Sequence, residues 1–179
     1  AGHAWAVRVP EGAMRRASVV ALLLLATLLH GSAWAQRGAP DQVFTATVER
    51  VTDGDTVVFP QGVCRLLGID APEKAQPLGP EAGRTLSELL GDRPVLVLAW
   101  GKDKYGRMLC LVLAEDGYLA NMTLVESGLA LVYMADRLFL KDGLEAAQAR
   151  AKADRRGVWG LKQFEPPWEY RARIRGKGR

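Results

Sequence analysis

V-T-D-G-D-T-V-V-F-P-Q-G-V-C-R-L-L-G-I-D-A-P-E, residues Val51 to Glu73, is the stretch from which the fold is read. Two apolar runs, Thr56–Phe59 and Val63–Ile69, flank the turn Pro60-Gln61-Gly62, the pattern of a β-hairpin. Asp53 and Asp55 precede the first run, and Asp70 and Glu73 follow the second. A hairpin returns the chain to its starting end, so carboxylates far apart in sequence share one place. Arg65 lies within the second strand. Carboxylates beside an arginine can hold a hard cation and a phosphate together. Asp-Gly and Ala-Pro, each taken alone, are ordinary turn dipeptides. A plain turn does not explain the whole set.

The chain has 179 residues, 49% hydrophobic and 25% charged, which suits one domain with extensions. A net charge of +4 is weak evidence for a polyanionic partner. Met14-Arg15-Arg16, an apolar run from Val19 to Leu29 and Ala33-Trp34-Ala35 form the three regions of a secretory signal. The apolar run is too short for an ordinary membrane span. The expected organisation is an upstream extension at 1–13, a signal peptide at 14–35 and a flexible leader at 36–42. A domain at 43–160 and a basic C-terminal tail at 161–179 follow. The mature chain would be exported, periplasmic or secreted, monomeric, and without a stable membrane span. Both histidines, His3 and His30, fall in the part removed. A chain without imidazole excludes Ser-His-Asp triads, histidine-base ribonucleases and histidine-ligated zinc.

Cys64 and Cys110 remain. An exported chain with an even number of cysteines invites a disulfide. Strand alternation sets each cysteine on the face opposite its neighbouring arginine, Arg65 or Arg107. If the arginines face one site, the cysteines face the core and can meet, as a bridge or as two buried thiols.

Val43–Val51 alternates, with Phe44, Ala46 and Val48 on one face, as a half-buried strand does. Helices are expected at Pro80–Leu90, with proline in the first turn and Gly91 as the stop, at Ala120–Ser127 and at Leu138–Arg156. Val95–Trp100 and Arg107–Ala114 read as strands, and Leu129–Met134 as a short extended piece. The fold class is α+β, mainly β: a five-stranded OB-fold barrel with three helices. Glu165-Pro166-Pro167 breaks the pattern, and five basic residues crowd Arg171–Arg179. They read as a solvated tail or as a loose electrostatic hold on nucleic acid.

Asp103-Lys104-Tyr105-Gly106-Arg107 is a second constellation, a charged loop entering a strand. With the hairpin it supplies three or four carboxylates and two arginines, a set suited to phosphodiester hydrolysis without histidine. Oxygen ligands select Ca²⁺ or Mg²⁺. Guanidinium groups stabilise charge that grows on a phosphoryl group. A carboxylate left off the metal can orient or deprotonate water.

D-G-D-T and C-R-L-L-G-I-D-A-P-E within Asp53–Glu73 resemble the active-site region of the thermonuclease family, the staphylococcal-nuclease-like domains. G-P-E-A at Gly79–Ala82, D-K-Y-G-R at Asp103–Arg107, E-S-G-L-A at Glu126–Ala130 and G-V-W at Gly157–Trp159 follow in the family's order. The resemblance implies a Ca²⁺-dependent nuclease that cuts DNA and RNA and leaves 3′-phosphates. It assigns Asp55, Asp70 and the backbone carbonyl of Ala71 to the metal. Arg65 and Arg107 match the catalytic arginines, and Glu73 the glutamate that acts on the attacking water. Lys104 and Tyr105 match phosphate contacts, and Tyr133 a ring that stacks on a base. The loops Lys74–Leu78 and Gly101–Asp103 are shorter than in the staphylococcal type. Met134 and Ala135 stand where a second stacking tyrosine would follow. The alternative is a nucleic-acid-binding OB module without catalysis; Asp55, Arg65, Asp70, Glu73 and Arg107 together favour the enzyme.

Overall fold

The computed structural model describes residues 39–134 and 140–177. The expected upstream extension, the signal peptide and residues 36–38 of the leader lie outside them.

The hairpin forms as the alternation requires. Strand β3 (Thr56–Phe59) pairs antiparallel with β4 (Gly62–Leu66), in the register Thr56↔Arg65 and Phe59↔Gly62. Its alternate side chains Val57, Phe59, Cys64 and Leu66 are buried. Strand β2 (Arg50–Asp53) pairs with β3; the register shifts between Val51 and Asp53, and Asp53 still faces Thr56, so the D-G-D turn closes this second hairpin just after a bulge. Strand β1 (Gln42–Ala46) pairs with β6 (Val95–Lys102), which pairs with β7 (Met108–Leu113). The six-stranded sheet runs β1-β6-β7-β4-β3-β2, and every pair is antiparallel except β4–β7. That parallel pair brings Cys64 beside Met108 and Arg65 beside Leu109, so the entrance of β7 lies next to the second hairpin strand. Two short strands, β5 (Ile69–Asp70) and β8 (Leu131–Val132), pair separately, Asp70 with Leu131.

Helix α1 (Gly79–Leu90) begins with proline and buries Ala82, Leu86 and Leu90. Helix α2 (Ala120–Glu126) is almost wholly buried. Its Asn121 accepts from the Val112 amide and donates to the Leu67 and Cys110 carbonyls, so one side chain stitches β7 to the link between β4 and β5. Helix α3 (Lys141–Ala153) packs through Leu144, Ala147 and Ala151. The fold is the expected α+β, mainly β, of OB-like type. The largest difference lies in the tail, where Pro167–Lys177 forms a fourth described helix, α4. Pro167 opens it at a position where a missing N–H costs nothing. Among the described residues no helix is long and apolar enough to cross a membrane.

Candidate active site

The corner is built around Gly54, between Asp53 and Asp55. A Cβ there would lie 2.6 Å from the Cβ atoms of both Ala71 and Ala82. Only glycine lets the D-G-D turn press against the A-P-E segment and helix α1 at once. The turn is then locked from within. The Asp55 amide donates to Asp53 Oδ1 (3.1 Å), and the Ala71 amide donates to Asp55 Oδ2 (3.0 Å).

Asp55 and Asp70 are 7% and 0% exposed, and buried carboxylates require positive charge beside them. Arg65 supplies it. Its Nη2 donates to Asp70 Oδ1 (2.6 Å), and its Nη1 lies 2.5 Å from Asp55 Oδ2, an ion pair off the hydrogen-bond line. Burial opposes the Arg65 charge, but Asp55 and Asp70 outweigh it and raise the guanidinium's pKa. Burial pushes the Asp70 carboxyl up, against the lowering effect of Arg171 and Arg65. Asp53 is raised too, first by burial and then by the charge of Asp55.

Glu73 follows in the loop that leads to α1. Its amide donates to Gln76 Oε1 (2.9 Å). A Cβ on Gly79 would fall 1.9 Å from the Glu73 carbonyl oxygen, so the helix start holds this loop close. The Glu73 carboxylate accepts from Arg171 Nη1 (2.8 Å). Arg171, on α4, also donates to Asp70, Nη2 to Oδ2 (2.8 Å) and Nη1 to Oδ1 (3.1 Å). Arg171 was not among the residues expected at the site.

The second constellation folds on itself. Asp103 accepts from the amides of Tyr105 (2.8 Å) and Arg107 (3.0 Å). Its Oδ2 accepts from Arg107 Nε (2.8 Å) and pairs with Nη2 (2.7 Å). The Arg107 guanidinium and Lys104 Nζ lie 5.5 and 5.0 Å from the Tyr105 ring, which is exposed. Arg107 thus stands at the entrance of β7, paired with Asp103. Tyr133 follows β8, anchored by its amide to the Gly68 carbonyl (2.9 Å), two residues along the ladder from the Asp70↔Leu131 pair. Its ring stacks on Trp168 of α4 at 5.2 Å and 17°. Cys64 and Cys110 meet in the core as thiols. Contact with Cys64, and then burial, push the Cys110 thiol up.

Two buried carboxylates spanned by one guanidinium are oxygen donors of the kind that a hard divalent ion takes. Among the described residues no three acidic, histidine or cysteine side chains are arranged around one point. Two carboxylates, a backbone carbonyl and oxygens from water or phosphate would make the shell, as magnesium- and calcium-type sites allow.

A sheet of this OB-like type with such a corner defines a class, and comparison agrees. The profile of the staphylococcal nuclease homologue family matches residues 63–160. The chain belongs to that family and is a nuclease, a phosphodiester hydrolase acting on nucleic acid. It is 36% identical over 130 residues to an uncharacterized endonuclease of Escherichia coli O157:H7, covering 70% of this chain and 84% of that one. Endonuclease YhcR of Bacillus subtilis is 34% identical over 159 residues, 75% of this chain and 13% of that much longer one. Protein ParB of Escherichia coli is 30% identical over 170 residues, 88% and 90% of the two chains.

Proposed function

We propose that this protein is an exported, Ca²⁺-dependent endonuclease that cleaves DNA and RNA and leaves 3′-phosphates. The observation that carries the reading is the convergence of Asp55, Arg65, Asp70 and Glu73 on one corner. Asp55, Asp70 and the Ala71 carbonyl would hold the cation, which supplies Lewis-acid polarisation of the phosphoryl oxygen when bound. Arg65 changes partners, from the two carboxylates to the phosphate, and donates to the oxygens on which charge grows. Glu73 lies beside Asp70 and accepts the proton of the attacking water. Arg107 leaves Asp103 to add a second guanidinium, Lys104 and Tyr105 contact flanking phosphates, and Tyr133 stacks on a base. In an oxidising compartment the touching thiols of Cys64 and Cys110 form a bridge. Two free thiols in denatured, unreduced, exported protein would remove that part.

The test is digestion of single-stranded DNA and RNA by purified protein with calcium, and again with excess EGTA. Cleavage with calcium and 3′-phosphate ends are expected. Undiminished cutting in chelator would contradict the metal role, and 5′-phosphate ends would contradict the direction of cleavage. Binding without cleavage under any divalent ion would favour the non-catalytic OB module.

A further inference from the structure

The family match ends at Gly160, yet the site does not. Helix α4 carries Trp168 and Arg171 three residues apart, on one face. Trp168 lies on the Tyr133 ring while Arg171 reaches Asp70 and Glu73. The helix is tethered just before it starts. Gln76, 4% exposed, accepts from the Glu73 amide and donates to the Glu165 carbonyl (2.8 Å). One side chain therefore ties the Glu73 loop to the approach of α4.

We infer that helix α4 completes the nuclease site: Arg171 positions the Glu73 carboxylate against Asp70, and Trp168 adds a second ring beside Tyr133. The inference rests on the nuclease reading of this corner. Arg171 is the partner of the Glu73 carboxylate among the described residues, and Glu73 sits in a loop without strand or helix to orient it. Arg65 and Arg171 divide Asp70 between them. Oδ2 belongs to Arg171 alone, so Arg65 can depart toward a phosphate while Asp70 stays held. Trp168 supplies the ring that Met134 and Ala135 do not. Both rings are half-buried, and an aromatic surface takes a base whatever its identity.

Two measurements on the full chain test this, using Arg171→Ala, Arg171→Lys, Trp168→Ala and Trp168→Phe. The first is affinity for a fluorescent single-stranded oligonucleotide in EDTA, which needs neither metal nor turnover. Trp168→Ala should weaken binding about tenfold, with most of the loss recovered in Trp168→Phe. The second is steady-state hydrolysis with calcium. Arg171→Ala should lower kcat about 10- to 100-fold with KM changed far less, the loss usual for a residue that orients a reacting group, and Arg171→Lys should recover part of it. Wild-type values within twofold for Trp168→Ala and Arg171→Ala would overturn the inference. So would tighter binding or faster turnover in either, which would make the helix a plug. If unmutated protein binds no oligonucleotide and cuts none, the nuclease reading has failed instead.

Discussion

Two arginine–aspartate pairs lie on adjoining strands of one sheet and follow opposite designs. The Arg65 pair is buried: its side chain is 13% exposed, with Asp55 at 10% and Asp70 at 0%. The Arg107–Asp103 pair is local, four residues apart, and 29% and 17% exposed. In the first corner three carboxylates compete for two guanidiniums, and the deficit of positive charge is open to a cation. In the second, one acid satisfies one base and nothing is owed. The contrast separates a site that is poised from a loop that is closed until a ligand opens it. Buried charge of one sign beside its opposite is the more informative sign of chemistry.

The sharpest way to break this contrast is Arg65→Ala. The rate of DNA hydrolysis should fall about 10²–10³-fold, the usual cost of losing one donor to a charged transition state. Near-normal turnover would put Arg65 outside the mechanism. Next is calcium itself. A cation taken up by the folded corner should raise stability by about 2.7 kcal/mol at a hundred times its Kd, read as a rise in Tm. Asp70→Asn should abolish the rise, whereas Asp103→Asn should keep it. Equal loss in both variants would mean the two pairs are not different in kind. Asp103→Ala should cost about 1 kcal/mol in urea unfolding, because a half-exposed local pair contributes little and the amides it leaves can turn to water.

The smallest effect concerns protons. Without divalent cations, burial raises Asp70 above its usual 3.8, so the folded state holds that proton more tightly than the unfolded chain. Its contribution to stability is full below 3.8 and is lost as pH rises through the folded value. Asp103 is shifted the other way. Burial alone would raise it, but hydrogen bonds from Arg107 and Tyr105 outweigh that and lower it. Its contribution is present above 3.8 and lost as pH falls through the lowered value. Carboxyl-carbon NMR titration should find the two midpoints on opposite sides of 3.8. Finding both on one side would dissolve the distinction.

Much of this was legible in the sequence. The β3–β4 hairpin could be read because alternation and Pro60-Gln61-Gly62 are local signals. The meeting of Asp55 with Asp70 followed from hairpin geometry. That Cys64 and Cys110 share the core followed from counting faces. Helix α4 was not legible. Two prolines and a run of basic residues carry the composition of a solvated tail, and no apolar stripe marks a buried face. Trp168 and Arg171 stand at helical spacing, but the spacing gains meaning only through partners some hundred residues earlier, Asp70 and Glu73. Arg107 was legible as a residue and not as an orientation. Its guanidinium faces Asp103, which two backbone amides fix in place.

The contact at Gly54 carries a further consequence. With no side chain between the D-G-D turn, Ala71 and helix α1, the spacing of the oxygens proposed to hold the ion depends first on how these backbones nest. Retuning such a pocket for a larger or smaller ion would therefore mean reshaping the seam among three segments at once.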